Sequence, residues 1–285
     1  MIALVLISTV AAIAYGALGY GFSSIAVPLV LLVASNRELT PAIVLVGVAM
    51  NAYALWINRH GLSRVWRRAR WVVAGLAPGV ALGTAFLTRV EPGSLKLATF
   101  AALLPLILLQ AAGFRRGIRS EQAAGAVLGA GVGTLYAITT ISGPPLAMFL
   151  TNQGYTPRDF RAALGLIRLA ESAIAVGLYA NVGLFTQTSL SLLGVMLPGV
   201  VIGVPIGAML IRRVKEESFR RVCMSFDAMS VAFGLSSLLR SRALVSASVA
   251  SLPFAGVVVF VAVILYRFAR PDSAKISPCA RPQLP

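Results

Sequence analysis

Gly129-Ala130-Gly131-Val132-Gly133, followed by Ile141-Ser142-Gly143-Pro144-Pro145, lie inside one apolar stretch from Gly125 to Thr156. Few charges and a mostly apolar composition read as membrane-buried. A glycine run and a Pro-Pro pair do not sit in one unbroken helix. Proline lacks an N–H and clashes with the preceding turn, and each glycine costs about 1 kcal/mol of helix propensity. Broken backbone at membrane depth survives only where it packs inside protein or lines a polar cavity. The stretch is therefore read as a broken span that forms a site, with Gly131, Gly133, Pro144 and Pro145 as the interruption. A related stretch stands near the N-terminus: Gly16-Ala17-Leu18-Gly19-Tyr20-Gly21, then Ser23-Ser24 and Pro28. There Gly19, Gly21 and Pro28 mark the break.

Composition sets the class around these two stretches. Of 285 residues, 58% are hydrophobic and 12% charged, about half the charged share of a soluble domain. The chain is expected to be an all-α polytopic membrane protein. Its net charge of +16 does not point to nucleic acid. The basic residues stand in short loops between apolar runs and form no groove with aromatic platforms. Two cysteines, Cys223 and Cys279, and one histidine, His60, supply no metal set and no histidine-centred triad. No metal, cofactor or enzymatic activity is expected, and no Walker loop is present. The signal-peptide pattern around Ala12-Ile13-Ala14 lacks a basic leading region, so the first segment is expected to stay.

Apolar runs cover residues 2–35, 40–58, 70–88, 94–112, 122–154, 161–184, 188–211, 219–239 and 244–266. Most are long enough to cross about 30 Å of hydrocarbon as helix. The first and the fifth would each reach on the order of 50 Å as single helices, and these are the two that carry breaks. Each is either a tilted, interrupted span or a re-entrant pair of half-helices. The order of motifs repeats along the chain. Thr40-Pro41 matches Thr156-Pro157, the segment Pro78 to Gly83 matches Pro198 to Gly203, and Arg89-Val90 matches Arg213-Val214. Two transmembrane repeats follow, 1–113 and 120–240, with one extra helix at 244–266 and a disordered tail at 271–285. Re-entrant hairpins gather nineteen basic loop residues on one side. Only Arg37, Arg89, Lys96, Arg240 and Arg242 remain on the other. The positive-inside rule prefers this arrangement to nine single crossings. It predicts inverted repeats, the N-terminus outside and the C-terminus in the cytoplasm.

Three charges stand inside the apolar runs: Arg168, Glu171 and Asp227. Each costs about 3 kcal/mol or more at a helix centre unless paired or hydrated. Arg168 and Glu171 share a helix face. Arg168 is read as meeting an anionic substrate, with Glu171 orienting it or titrating. The alternative is an ion pair that neutralises itself and ties up the guanidinium fork. Asp227 either relays a proton or partners buried polar groups. Asn51 lies at a depth similar to Arg168 in the first half. Half-helices starting at Ser23-Ser24 and near Ser142-Gly143 would present free N–H groups and positive dipole ends to an oxyanion. Thr139, Thr140 and Ser142 add hydroxyls. The alternative at these glycines is close helix packing alone. Tyr20, Tyr136 and Asn152 are further polar candidates.

The glycine-rich run leading to Ile141-Ser142-Gly143-Pro144-Pro145, its weaker copy ending at Pro28, and Arg212-Arg213-Val214 resemble the TauE/SafE sulfite-exporter family. That family is also called the toluene-sulfonate uptake permeases, and the resemblance covers about residues 10–240. It implies a multi-pass transporter of the bacterial inner membrane for sulfite, sulfonates or other small sulfur anions. Tyr20, Phe22 and Ser23 interrupt the family's usual glycine-dense first break. The expected partners are a small anion, the lipid bilayer and a coupling proton or sodium ion. The rival readings are a membrane subunit of an ATP-driven importer, an intramembrane enzyme and a scaffold protein.

Overall fold

The computed structural model describes residues 2–32, 34–111, 121–210, 216–241 and 246–269. Its described elements are helical, with no strand among them. The first long apolar run divides into α1 (Ile2–Leu18) and α2 (Phe22–Val30), and the fifth into α6 (Glu121–Thr139) and α7 (Gly143–Asn152). The unbroken helices are α3 (Asn36–Ile57), α4 (Leu62–Arg89), α5 (Pro92–Ala111), α8 (Pro157–Asn181), α9 (Gln187–Leu210), α10 (Glu216–Ser241) and α11 (Ala247–Ala269). Of these, α3, α4, α8 and α9 are long and apolar enough to cross a bilayer. The chain is an all-α polytopic membrane protein. The expected tail at 271–285, the Arg212-Arg213-Val214 motif and the side chains of Asp227, Pro144 and Asn152 lie outside the described residues.

The breaks fall at Gly19–Gly21 and at Thr140–Ser142, which corrects three of the nominated residues. Gly19 and Gly21 take left-handed backbone, φ 78° and 104°, where a Cβ costs about 1–2 kcal/mol. Pro28 is not part of its break. It sits within α2, and the Leu31 N–H still reaches the Val27 carbonyl beyond it. Gly131 and Gly133 are not part of theirs, since both lie inside α6. Gly133 faces α4, where a Cβ would press on the Leu76 carbonyl oxygen at 2.9 Å, whereas Gly131 faces open space. Close packing overrides helix propensity at Gly133.

Two seams of small residues organise the bundle. A Cβ on Gly75 or Gly79 of α4 would collide with the carbonyls of Ala126 and Ala130 on α6. A Cβ on Gly199, Gly203 or Gly207 of α9 would collide with the carbonyls of Val5, Thr9 and Ile13 on α1 respectively. Residue numbers rise together along both seams, so α4 runs parallel to α6 and α1 to α9.

Polar contacts fix which helix ends share a side. Arg37, at the start of α3, donates to the carbonyls of Leu87, Thr88 and Val90 at the end of α4, at 2.8, 2.6 and 2.9 Å. Asn36 reaches the Ile138 carbonyl at the end of α6 at 3.1 Å. Tyr179, near the end of α8, donates to the Ala137 carbonyl. The start of α9 follows directly through residues 182–186, and Ile2, Val5 and Leu6 of α1 share a groove with Ser191, Gly194 and Pro198 of α9. Helices α1 and α3 therefore begin on the same side, and α1–α2 is a re-entrant hairpin. On the other face, Arg64 of α4 approaches Asp159 of α8 at 3.5 Å. Arg68 donates to the Gln153 carbonyl just past α7 at 2.9 Å. There α6 also begins, with Gly125 beside Trp71 and Val72. The α6–α7 hairpin thus enters and leaves from this opposite, arginine-rich side.

Exchanging α1–α5 with α6–α10 maps the main contacts between the halves onto one another. Helix α1 packs on α9 as α6 does on α4, α2 on α10 as α7 on α5, and α3 on α8 in both directions. This is an inverted repeat, with α11 outside it against α10. The helix starts set its register. Ser35 gives its N–H and hydroxyl to the Glu38 carboxylate at 2.9 and 2.8 Å. Thr156 and Asp159 form the corresponding cap at 2.9 and 3.2 Å. Ser35, not Thr40, therefore corresponds to Thr156, and these helix starts are five residues out of the register that matching Thr40-Pro41 to Thr156-Pro157 suggests. A second difference is the early start of α4. Residues 62–70 carry no proline and bury Val65 and Ala69 while Arg64, Arg67, Arg68 and Arg70 face outward, so the basic segment continues the helix rather than forming a loop.

Candidate functional site

Asn51 on α3 and its counterpart Ser172 on α8 meet where the two repeats face each other. Asn51 Nδ2 donates to Ser172 Oγ at 3.1 Å across a sequence separation of 121. Each is held by a tyrosine from the first half-helix of its own repeat. Tyr15 donates to Asn51 Oδ1 at 3.0 Å, and the Tyr136 hydroxyl shares a hydrogen with Ser172 Oγ at 2.8 Å. Tyr15 and Tyr136 stand at the same offset. All four side chains are buried, and buried polar groups need partners; these supply one another's. Asn51 Nδ2 and Ser172 Oγ also donate to the Arg168 carbonyl at 3.3 and 2.8 Å.

The symmetry ends at the charges. In this register Gly47 holds the place of Arg168 and Met50 that of Glu171, so Asn51 corresponds to Ser172 and not to Arg168. Arg168 is 4% exposed and Glu171 is 0% exposed, and they are the two charged side chains buried among the described residues. They do not pair with each other. Glu171 Oε2 accepts the Ser142 hydroxyl at 2.6 Å, and Oε1 has no partner. Arg168 Nε and Nη1 have none either, and the guanidinium carbon stands 5.8 Å from the centre of the Tyr15 ring. Leaving a buried charge unpaired is strongly destabilising, so a self-neutralising pair does not explain this geometry.

The two breaks meet beside these charges. A Cβ on Gly143 would stand 3.2 Å from the Tyr20 side chain. The amide donors at α7 are fewer than the sequence suggested. Pro144 and Pro145 fill its first turn and carry no N–H, which leaves the amides of Ser142 and Gly143. Ser142 makes no side-chain cap because its hydroxyl goes to Glu171. The hydroxyls of Thr139 and Thr140 serve the turn itself. Thr139 Oγ1 accepts the Ile141 N–H at 3.0 Å and donates to the Leu135 carbonyl, and Thr140 Oγ1 donates to the Thr139 carbonyl. Ser23 and Ser24 lie buried in the first turn of α2, one residue inside its start at Phe22. Tyr20 is buried and already has an interaction of its own.

Sequence reasoning passed over Tyr15 and Ser172. The signal that finds them is the helix-start pattern. Aligning Ser35-x-x-Glu38 with Thr156-x-x-Asp159 puts Tyr15 on Tyr136 and Asn51 on Ser172 at once.

The family profile described as Sulfite exporter TauE/SafE matches residues 4–233, which takes in both hairpins and both central helices. No significant match was found among curated proteins or among solved structures.

Proposed function

Because the chain belongs to the sulfite exporter TauE/SafE family of membrane transporters, we propose that it is a secondary transporter of small sulfur oxyanions working by alternating access. The observation that carries this reading is Arg168, buried with two guanidinium nitrogens unpartnered. A guanidinium fork matches an oxyanion bidentately, in a geometry that a lysine cannot reproduce. Asn51 and Ser172 hold the backbone that bears it, and Tyr15 lies beside its head. The anion would sit between Arg168 and the meeting point of the breaks at Tyr20, Ser142 and Gly143.

Two hairpins entering from opposite faces supply a gate on each side. Movement of residues 1–113 against 120–240 would open the anion to one face at a time. With the arginine-rich side in the cytoplasm, the N-terminus lies outside and the membrane is the bacterial inner membrane. The membrane potential then favours anion export by about 2.3 kcal/mol per charge per 100 mV. Glu171 is the candidate group for coupling to a proton.

Counterflow tests the reading. Proteoliposomes holding this chain alone should exchange labelled sulfite, sulfoacetate or taurine without ATP, and Arg168→Gln should abolish the exchange. Uptake that appears only with an added ATPase subunit and ATP would overturn it in favour of an importer subunit.

A further inference from the structure

We infer that the opening between α4 and α6 on the arginine-rich side binds an anionic phospholipid, with the phosphate between Arg67 and Arg70 and an acyl chain along Ala74 and Val127. The inference needs only the fold and a bilayer, and it stands apart from the transported anion. It starts from the two glycine seams. Gly75–Ala126, Gly79–Ala130 and Gly83–Thr134 are contacts of the α4–α6 seam, and Gly199–Val5, Gly203–Thr9 and Gly207–Ile13 are contacts of the α9–α1 seam. The spacing is the same in both, so one seam can be laid on the other residue by residue. Beyond its last glycine contact the α9–α1 seam opens into an apolar cavity of about 590 Å³, bordered by Leu6, Ser191, Gly194 and Pro198. The same register puts Val127, Arg67, Arg70 and Ala74 at the matching places between α6 and α4. All four are exposed. The inverted counterpart of an apolar groove thus carries two guanidinium groups at its mouth.

The length of α4 sets their depth. Its 28 residues reach about 42 Å as helix, against about 30 Å of hydrocarbon. The first two turns therefore stand in the headgroup layer and bring the arginines with them. Ala74 lies one turn deeper than Arg70, and Val127 follows Ala126, which stands level with Gly75. The three tryptophans of the chain, Trp56, Trp66 and Trp71, gather at this same end, where indole rings favour the membrane interface. Trp56 and Trp66 are exposed, and the Trp71 side chain lies against Gly125 of α6.

Charge decides which headgroup fits. Arg64 has Asp159 at 3.5 Å, and Arg68 has the Gln153 carbonyl and the Tyr155 ring. Arg67 and Arg70 are three residues apart and share a helix face. Arg70 lies over the Trp71 ring, 5.1 Å from its centre, which holds the guanidinium in place without neutralising it. No acidic side chain meets Arg67 or Arg70 among the described residues: Glu38 and Glu91 stand at the opposite end, and Glu171 is buried at the centre. A phosphodiester supplies the missing charge through charge-assisted hydrogen bonds. A zwitterionic headgroup brings an ammonium of its own, which the two arginines repel, so the preference is for lipids of net negative charge.

Tryptophan quenching in the reconstituted full-length protein tests the site, because all three reporters stand at its end of the molecule. Phosphatidylglycerol brominated in its acyl chains and mixed into phosphatidylcholine should quench more than brominated phosphatidylcholine at the same mole fraction. The excess should correspond to about a fivefold preference, the effect of one arginine near an anionic surface. Combining Arg67→Gln with Arg70→Gln should bring the two lipids together. Should that variant fail to fold, the wild-type comparison decides alone. Equal quenching by the two lipids in the wild type would overturn the inference. So would a preference that survives in the folded double variant, since it would belong to the general charge of this face and not to the groove.

Discussion

In α1–α2 the chain turns on Gly19 and Gly21, whereas in α6–α7 the matching places are Thr140 and Ser142. The first turn is made by residues that merely permit left-handed backbone. The second holds a β-branched residue at φ 57° and spends its serine on Glu171. The central helices differ in the same direction, with Gly47 and Met50 in α3 against Arg168 and Glu171 in α8. Both repeats supply the same frame of tyrosine, polar residue and glycine seam. Only the second adds charge. The shared features thus build two equivalent hairpins, and the differences confine the buried charges to the second repeat.

Substitutions at matched positions can break or sharpen this comparison. The largest effect belongs to the charge. Arg168→Gln should lower sulfite affinity by about a hundredfold or more without lowering thermal stability, since it removes an unpaired buried cation. Met50→Gln, at the place in the first repeat that corresponds to Glu171, should change affinity little. Equal losses at the two sites would end the claim of one-sided chemistry.

Next come the seams. Gly79→Leu in α4 and Gly203→Leu in α9 should each destabilise by about 1–3 kcal/mol through overpacking, because each Cβ would meet the neighbouring helix. Thermal unfolding in detergent measures both. A loss on one side alone would show that the seams are not equivalent.

The breaks should respond with opposite sign. Gly19→Thr puts a β-branched residue at φ 78° and should cost about 1–2 kcal/mol. Thr140→Gly relieves that constraint and should leave stability unchanged or raise it.

The smallest effects lie in the polar quartet. Tyr136→Phe should cost about 1 kcal/mol, the net value of one hydrogen bond. Ser172 keeps Asn51 and the Arg168 carbonyl as partners. Tyr15→Phe should cost more, because it leaves Asn51 Oδ1 without the donor it has now.

Much of the fold could be read from residue order. Over-long apolar runs with glycine and proline interruptions gave both hairpins, and the uneven spread of arginine gave their inverted sense. The exact break residues were less legible. Gly131, Gly133 and Pro28 look like helix breakers, but the helices run through all three, and α4 needs Gly133 to be small. Matching Pro41 to Pro157 misled the register by five residues, since Pro41 sits inside α3 while Pro157 opens α8. The error hid Tyr15 and Ser172, whose roles follow only from the correct offset. Arg168 stood out as a charge in an apolar run, but its freedom from Glu171 is a matter of side-chain direction that spacing alone does not fix. The amide donors at α7 were overcounted because Pro144 and Pro145 open that helix.

The central claim is that one unpaired guanidinium, held between two opposed hairpins, receives the anion. Equilibrium binding of labelled sulfite to the purified protein, wild type beside Arg168→Gln, tests it most directly. The account predicts saturable binding that methanesulfonate displaces and that the variant loses while remaining folded. Undiminished binding by the folded variant would contradict it.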